Sequence, residues 1–175
     1  MRSLLAVAGL ALCSSGAFAA DFGIGIAARS TDDRSVYLPI DIGESFRIEP
    51  HLRYAKNEAR NDVDFDKTLD VGVGVLGLRK VGEAARVYFG ARLSYIESEY
   101  RSQPSGFIFS QDVDGFAVAP TFGFEYLFGQ HLSLGGELEY RFVDLEGNFR
   151  QQGLTRDTER KSQGTQTRVV LRYKF

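Results

Sequence analysis

For almost its whole length beyond residue 20, the chain places apolar side chains at every second position. That is the period of an extended strand, whose successive residues face opposite ways. Phe22, Ile24, Ile26 and Ala28 form the first set, and Val36, Leu38, Ile40 and Ile42 the second. Phe46, Ile48, Pro50, Leu52 and Tyr54 make the third; Leu69, Val71, Val73 and Val75 make the fourth. The fifth is Val87, Phe89, Ala91, Leu93 and Tyr95, and the sixth runs from Phe116 through Val118, Pro120, Phe122 and Phe124 to Tyr126. Leu132, Leu134, Leu138, Tyr140 and Phe142 are the seventh, and Val169, Leu171, Tyr173 and Phe175 the eighth. An even number of consecutive amphipathic strands can close into a ring and leave no edge unpaired. The expected fold is all-β: an eight-stranded antiparallel up-and-down barrel.

The connections alternate in length. Gly43-Glu44-Ser45, Val81-Gly82-Glu83 and Phe128-Gly129-Gln130 are tight, whereas Asn57–Asp66, Arg101–Gln111 and Gly147–Gln163 are long and polar. Only Thr31–Arg34 is brief on the long side. A three-residue turn at Gly43 pairs Ile42 with Phe46 and Ile40 with Ile48, keeping all apolar residues on one face, whereas a two-residue turn would scramble the faces. The same arithmetic at Phe128-Gly129-Gln130 pairs Tyr126 with Leu132. Short turns on one rim and long loops on the other form the pattern of transmembrane barrels, with the short turns periplasmic.

The second face is charged: Arg29, Asp41, Arg47, Glu49, His51, Arg53, Asp70, Arg92, Glu125, Glu137, Glu139, Arg141, Arg168, Arg172 and Lys174. A soluble lipocalin-like barrel would turn these outward to water. Two features favour the opposite arrangement, with charges inside and the apolar face toward lipid. Gly23, Gly25, Gly72, Gly74, Gly90, Gly123 and Gly135 share the charged face, which suits a narrow lumen crowded by long side chains. Tyr54, Tyr95 and Tyr140 lie toward one end of the apolar face and Phe46, Tyr126, Tyr173 and Phe175 toward the other, forming two aromatic girdles around an aliphatic band. The register places Asp41 opposite Arg47, and Asp70 a diagonal step from Arg92. Pro39, Pro50 and Pro120 lack a ladder donor, and local bulges are the expected accommodation.

Residues 1–19 read as a cleavable signal peptide. Arg2 gives a positive start, Leu4 to Leu12 an apolar core too short to span a bilayer, and Ala17-Phe18-Ala19 a small-x-small cleavage site. The barrel domain is then 20–175. Cys13 is the only cysteine and lies within the signal, where Leu12 is too large for a lipid-attachment box. The domain is therefore expected to hold no disulfide and no thiolate site. With a net charge of −2, nothing points to nucleic acid.

Thr167-Arg168-Val169-Val170-Leu171-Arg172-Tyr173-Lys174-Phe175 resembles the C-terminal strand of bacterial outer-membrane proteins, whose terminal Tyr-x-Phe is read by the barrel-assembly machinery. His131 to Phe142 is similar to a strand of small barrels of the OmpA/OmpX type. The resemblance implies the cell outer membrane as location, outer-membrane lipid and lipopolysaccharide as surroundings, and a structural or surface-interaction role. Transport like that of OmpW-like barrels is the alternative, and lipid A chemistry like that of PagL- or PagP-like enzymes the lesser one. His131-Leu132-Ser133 is similar to the His-x-Ser of PagL-like deacylases, but Leu134 stands where an asparagine is expected. Asp62, Asp64 and Asp66 alternate like calcium ligands but lack the glycine turn and late glutamate of a calcium loop, so they read as an acidic solvated loop. No cofactor or metal is expected. Arg150, Arg156, Arg160 and Lys161 could meet lipopolysaccharide phosphates. Phe107-Ile108-Phe109, an apolar tip in a long loop, is the candidate contact for an extracellular partner.

Tyr173 and Phe175 are thus the expected assembly signal. Deleting Phe175 should sharply reduce membrane-inserted protein and leave aggregate or degradation products in the periplasm, as read by immunoblot of cell fractions. Normal insertion of the shortened chain would show that this end carries no such signal.

Overall fold

Alternating segments gain nothing as isolated strands, because none of their backbone donors and acceptors would find a partner in the chain. The computed structural model shows where those groups go in residues 20–30, 33–58, 64–103, 108–151 and 154–175, the residues described here. The expected signal peptide and Phe107 lie outside them. The strands are β1 (Ala20–Ser30), β2 (Asp33–Tyr37), β3 (Ile40–Ile42), β4 (Phe46–Glu58), β5 (Phe65–Lys80), β6 (Ala85–Ser102), β7 (Phe109–Phe128), β8 (Leu132–Gln151) and β9 (Leu154–Lys174). All neighbours pair antiparallel, and β9 returns to pair with β1, from Gly23 opposite Lys174 to Ala28 opposite Val169. The backbone N–H of Phe175 extends that seam by donating to the Phe22 carbonyl at 2.9 Å. The ring is closed.

Nine segments fill eight positions, because β2 and β3 are one strand interrupted at Leu38-Pro39, both lying between β1 and β4. Proline removes a donor there, but the register runs through the gap: Leu38 N–H donates to the Pro50 carbonyl and Gly23 N–H to the Pro39 carbonyl, each at 2.9 Å. Pro120 is likewise accommodated without the expected bulge. It faces Ala91 on β6, while the β7–β8 ladder steps from Val118–Phe142 to Thr121–Glu139 without a change of register. Two rungs are missing, and the faces stay in phase. The register slips instead between Ala28 and Ser30.

The first tight turn has the expected register, Ile42 opposite Phe46. The third does not: Phe128 faces Leu132 and Tyr126 faces Leu134, so the turn is Gly129-Gln130-His131. Both turns open on a glycine with positive φ, 61° at Gly43 and 77° at Gly129, a conformation that costs other residues a steric penalty. That glycine fixes where the turn starts, and the two-residue shift leaves every side chain on its expected face.

The long connections are shorter than the sequence suggests. Gly147–Gln163, expected as loop, is strand apart from the undescribed 152–153, and β5 and β6 also extend into the expected loops. With 20, 20 and 21 residues, β7, β8 and β9 exceed by about ten the 9–11 that a tilted strand needs to cross hydrocarbon. In that surplus the pattern inverts. Ile96, Val113, Ala117 and Leu145 are buried in an inward cluster with Val143 packed against it, while Glu97, Asp112, Asp114, Asp144 and Glu146 face out and are exposed. An outer wall in water needs polar residues outside, so apolar ones move in.

Candidate functional site

Within the band below this extension the usual distribution of side chains is reversed. Phe22, Ile24, Val75, Phe89, Phe122, Phe124, Leu138 and Val169 are exposed on the outer wall, while the largest fully buried side chains include Arg47, Arg172, Glu49, Glu125 and Glu139. The girdle residues Tyr54, Tyr95, Tyr140, Phe46, Tyr126, Tyr173 and Phe175 are likewise exposed. Edge-to-face ring pairs brace them, such as Tyr95 on Phe116 with centroids 5.6 Å apart and Tyr173 on Phe175 at 5.9 Å.

The interior is filled by arginines and carboxylates, a large connected network through its lower and middle layers and a smaller group around Asp70 above it. At the short-turn end, Arg47 Nε donates to Asp41 Oδ1 at 2.5 Å and Nη2 to Glu125 Oε1 at 3.1 Å. Arg86 bridges the same two acids at 3.4 and 2.8 Å, and Lys174 also pairs with Asp41. In the middle layer Glu49 receives Arg172 at 2.7 Å and Arg92 at 2.6 Å. Arg92 continues to Glu137 at 2.8 Å and Glu139 at 2.9 Å, and Arg168 joins the same two glutamates. Toward the long-connection end Asp70 pairs with Arg141, with Arg53 at 3.8 Å and with His51 at 3.5 Å.

The chemistry of that arrangement is mutual neutralisation. An ionised group in a water-poor interior is tolerated only when opposite charges and hydrogen bonds replace its hydration, and planar guanidinium forks do this across several strands at once. The basic groups named outnumber the acids. Two inward tyrosines contribute ring faces to the excess: Arg92 and Arg168 lie 4.9 and 5.6 Å from the Tyr37 centroid, and Arg172 and Arg47 lie 5.0 and 5.9 Å from that of Tyr88. Tyr88 also donates to Glu137 at 3.1 Å. Glycines make the room, since a Cβ on Gly123 would sit 2.2 Å from the Tyr88 ring and one on Gly74 2.8 Å from an Arg92 nitrogen. A cavity of about 20 Å³ remains among His51, Asp70, Ser94, Arg141 and their neighbours, room for about one water molecule.

The structure brings together in the lumen the eleven residues expected there: Asp41, Arg47, Glu49, Arg53, Asp70, Arg92, Glu137, Glu139, Arg141, Arg168 and Arg172. The partners differ in one case. Asp70 faces Ile96, not the neighbourhood of Arg92, and its arginine is Arg141 from across the lumen. Arg86, Tyr37 and Tyr88 complete the network; Arg86 and Tyr88 share the parity of Arg92 and could have been found by extending that strand's alternation. The side chain of Arg29 lies outside the described residues. His51, on the charged face as expected, stands opposite Tyr37, and its Nε2 lies 3.2 Å from Ser94 Oγ.

The other candidates separate. His131 Nδ1 lies 3.0 Å from the Lys174 carbonyl and its ring stacks on Tyr173, while buried Ser133 donates to Glu125 at 3.3 Å. They are not arranged as base and nucleophile. Asp64 accepts from the Gln103 backbone N–H at 2.6 Å, and Phe65 and Asp66 belong to β5. Ile108 is exposed, but Phe109 is no loop residue: it is the first residue of β7, its ring 6.4 Å from that of Phe149. Lys161, on the outer wall of the extension, is held above the usual lysine range by its hydrogen bond to Glu159 and the nearby Asp144 charge.

No protein-family model and no curated protein sequence matches the chain. Among solved structures it is similar to Neisserial surface protein A (NspA), at 15% identity over 89% of this chain and 94% of that one, with a TM-score of 0.59. It is also similar to a major outer membrane protein from Thermus thermophilus, at 12% identity over 90% of this chain and 100% of that one, with a TM-score of 0.61. The chain therefore has the fold of small outer-membrane β-barrel proteins.

The network yields a quantitative expectation. Arg47 is fully buried and contacts three carboxylates, so Arg47→Ala should destabilise the barrel by about 3–5 kcal/mol in denaturant titrations of protein folded in lipid vesicles. A loss below about 1 kcal/mol would mean that water reaches the site and solvates the stranded acids.

Proposed function

We propose that this protein is an integral outer-membrane barrel, exported with cleavage after Ala19, whose closed interior serves as a structural core. Its role is to contribute to envelope integrity and to present the long-connection end at the cell surface. One observation supports this above all: a continuous wall of exposed apolar side chains encloses charges that are buried and paired. In water that wall would drive aggregation, whereas in hydrocarbon it is the solvated surface. The likeness of fold to a neisserial surface protein and a Thermus outer-membrane protein supports the same location. The short turns then face the periplasm and the extension of β6–β9 faces outward. Lipopolysaccharide surrounds that extension, and Ile108 is placed for an extracellular partner. The barrel-assembly machinery reads Tyr173 and Phe175 during insertion.

A transport role would need a path through the lumen or the wall, and lipid A chemistry would need an assembled nucleophile and base; neither reading has a supporting observation among the described residues. Cell fractionation combined with gel mobility tests the proposal. The protein should be recovered in the outer membrane and migrate differently before and after boiling, because a closed barrel resists the gel detergent. Recovery in the soluble periplasm with unchanged mobility would overturn the reading.

A further inference from the structure

The pairing of β9 with β1 closes the ring, but it covers only the lower part of β9. That ladder ends at Ala28 opposite Val169, whereas β9 continues outward along β8 as far as Leu154 opposite Gln151, with no break in register. Among the described residues no strand pairs with residues 154–168 on the side away from β8. Which groups face that side follows from the seam. Lys174 N–H donates to the His131 carbonyl next to β8, and Phe175 N–H to the Phe22 carbonyl on β1. In an antiparallel ladder the N–H and C=O of one residue point the same way, and the direction alternates along the strand. Carried up the unbroken β8–β9 ladder, Thr165, Gln163, Lys161, Glu159 and Asp157 turn their backbone donors and acceptors to the open side.

A strand edge of this kind is complementary to the backbone of another extended chain. Sheets ordinarily blunt such edges with proline, bulges or lysine. Residues 162–167, Ser-Gln-Gly-Thr-Gln-Thr, carry no proline and no charge, and the ladder beside them has no bulge. A Cβ added at Gly164 would meet nothing within 4 Å, so the inner side of the edge is open too. Lys161 does not guard it, because its amine is drawn back to Asp144 and Glu159 on its own sheet. Further out, Glu159 ends a row of directly opposed carboxylates, Glu97, Asp114, Glu146 and Glu159, one from each of β6 to β9. Opposed like charges repel, so a cationic side chain laid beside Glu159 and Asp157 is favoured over an anionic one.

We propose that the open edge of β9 receives an extended segment of an extracellular polypeptide as an added antiparallel strand, uncharged beside residues 162–167 and basic beside Glu159 and Asp157. The inference rests on the membrane location and orientation proposed above. It adds the chemistry of the surface partner and the strand that takes it. Antiparallel pairing is the form of every ladder in this sheet and the more stable one per residue. Since β9 runs toward the membrane, the added strand runs outward, and its basic residues fall toward its C-terminal end.

The probe is a synthetic peptide of alternating threonine and valine with lysines toward its C-terminal end, titrated by fluorescence anisotropy onto the barrel folded in detergent. It should bind about tenfold or more tightly than the same peptide interrupted by prolines, which keeps the charge and removes strand donors. Moving the lysines to the N-terminal end should weaken it as well. Bound peptide should slow amide hydrogen exchange at Thr165, Gln163 and Lys161. Q163P removes an N–H that faces away from β8, so it should keep the heat-shifted mobility of a folded barrel and lose about tenfold or more in affinity. The peptide comparison tests the same contact on the unaltered chain. D157N/E159Q should weaken the lysine peptide and leave a glutamine-substituted one unchanged. The proposal is overturned if the proline-interrupted peptide binds within about twofold of the intact one, if a folded Q163P binds as wild type does, or if exchange slows elsewhere and not along the edge. A wild-type dimer that Q163P separates would overturn it too, by giving the edge to a second copy. Soluble, unshifted wild-type protein would overturn both readings. A membrane-located, heat-shifted barrel that treats the peptides alike would overturn only this one.

Discussion

Everything in this molecule depends on arginine–carboxylate pairing in a space from which water is excluded. Arg47, Arg92 and Arg172 each contact three carboxylates, and Glu49, Glu125 and Glu137 each contact three arginines. No single strand owns the network: β3, β4, β6, β7, β8 and β9 all supply members, so the strands are held in mutual register by their interiors as well as by backbone hydrogen bonds. A soluble protein of this size would use an apolar core for that purpose. This one has turned its apolar residues outward, and the remaining way to fill a narrow ring is with charges that satisfy one another.

The arrangement is demanding at each position. Glycine at 74 and 123 is needed because a side chain there would occupy the space of Arg92 or Tyr88. Tyr37 and Tyr88, the aromatic rings among these charges, lie against guanidinium groups and offer hydroxyls to Ser35, Arg168, Arg172 and Glu137. Removing any charged member leaves its partners stranded, so the interior behaves as a unit.

Much of this was legible in the sequence, for a simple reason: a period of two is unambiguous, and both faces of each strand carried strong signals. The eight apolar sets, the charged face, the Asp41–Arg47 pairing and the first tight turn all follow from alternation. What escaped were features that depend on something other than alternation. The Asp70–Arg141 contact crosses the lumen, where strand register gives no guidance. The third turn was expected one residue early because composition does not say whether Phe128 or Gly129 begins it, whereas the positive φ of Gly129 does. The long strand ends of β7, β8 and β9 look like loop because their outward positions stop being apolar. Beyond the girdle the apolar residues turn inward, as Val113 and Leu145 do, while Asp114 and Glu146 face water. The change of phase marks on the chain where the apolar outer band ends, and it also delivers Phe109 to a partner in Phe149 instead of an exposed tip.

The central claim is that paired charges seal the barrel, and electrical recording tests it most directly. Purified wild-type protein inserted into planar bilayers should give no large, steady conductance, since the lumen between Asp41 at one end and Arg141 at the other is filled by its own side chains. Large, stable, ohmic channels from the same preparation would contradict a sealed interior and make the barrel a pore.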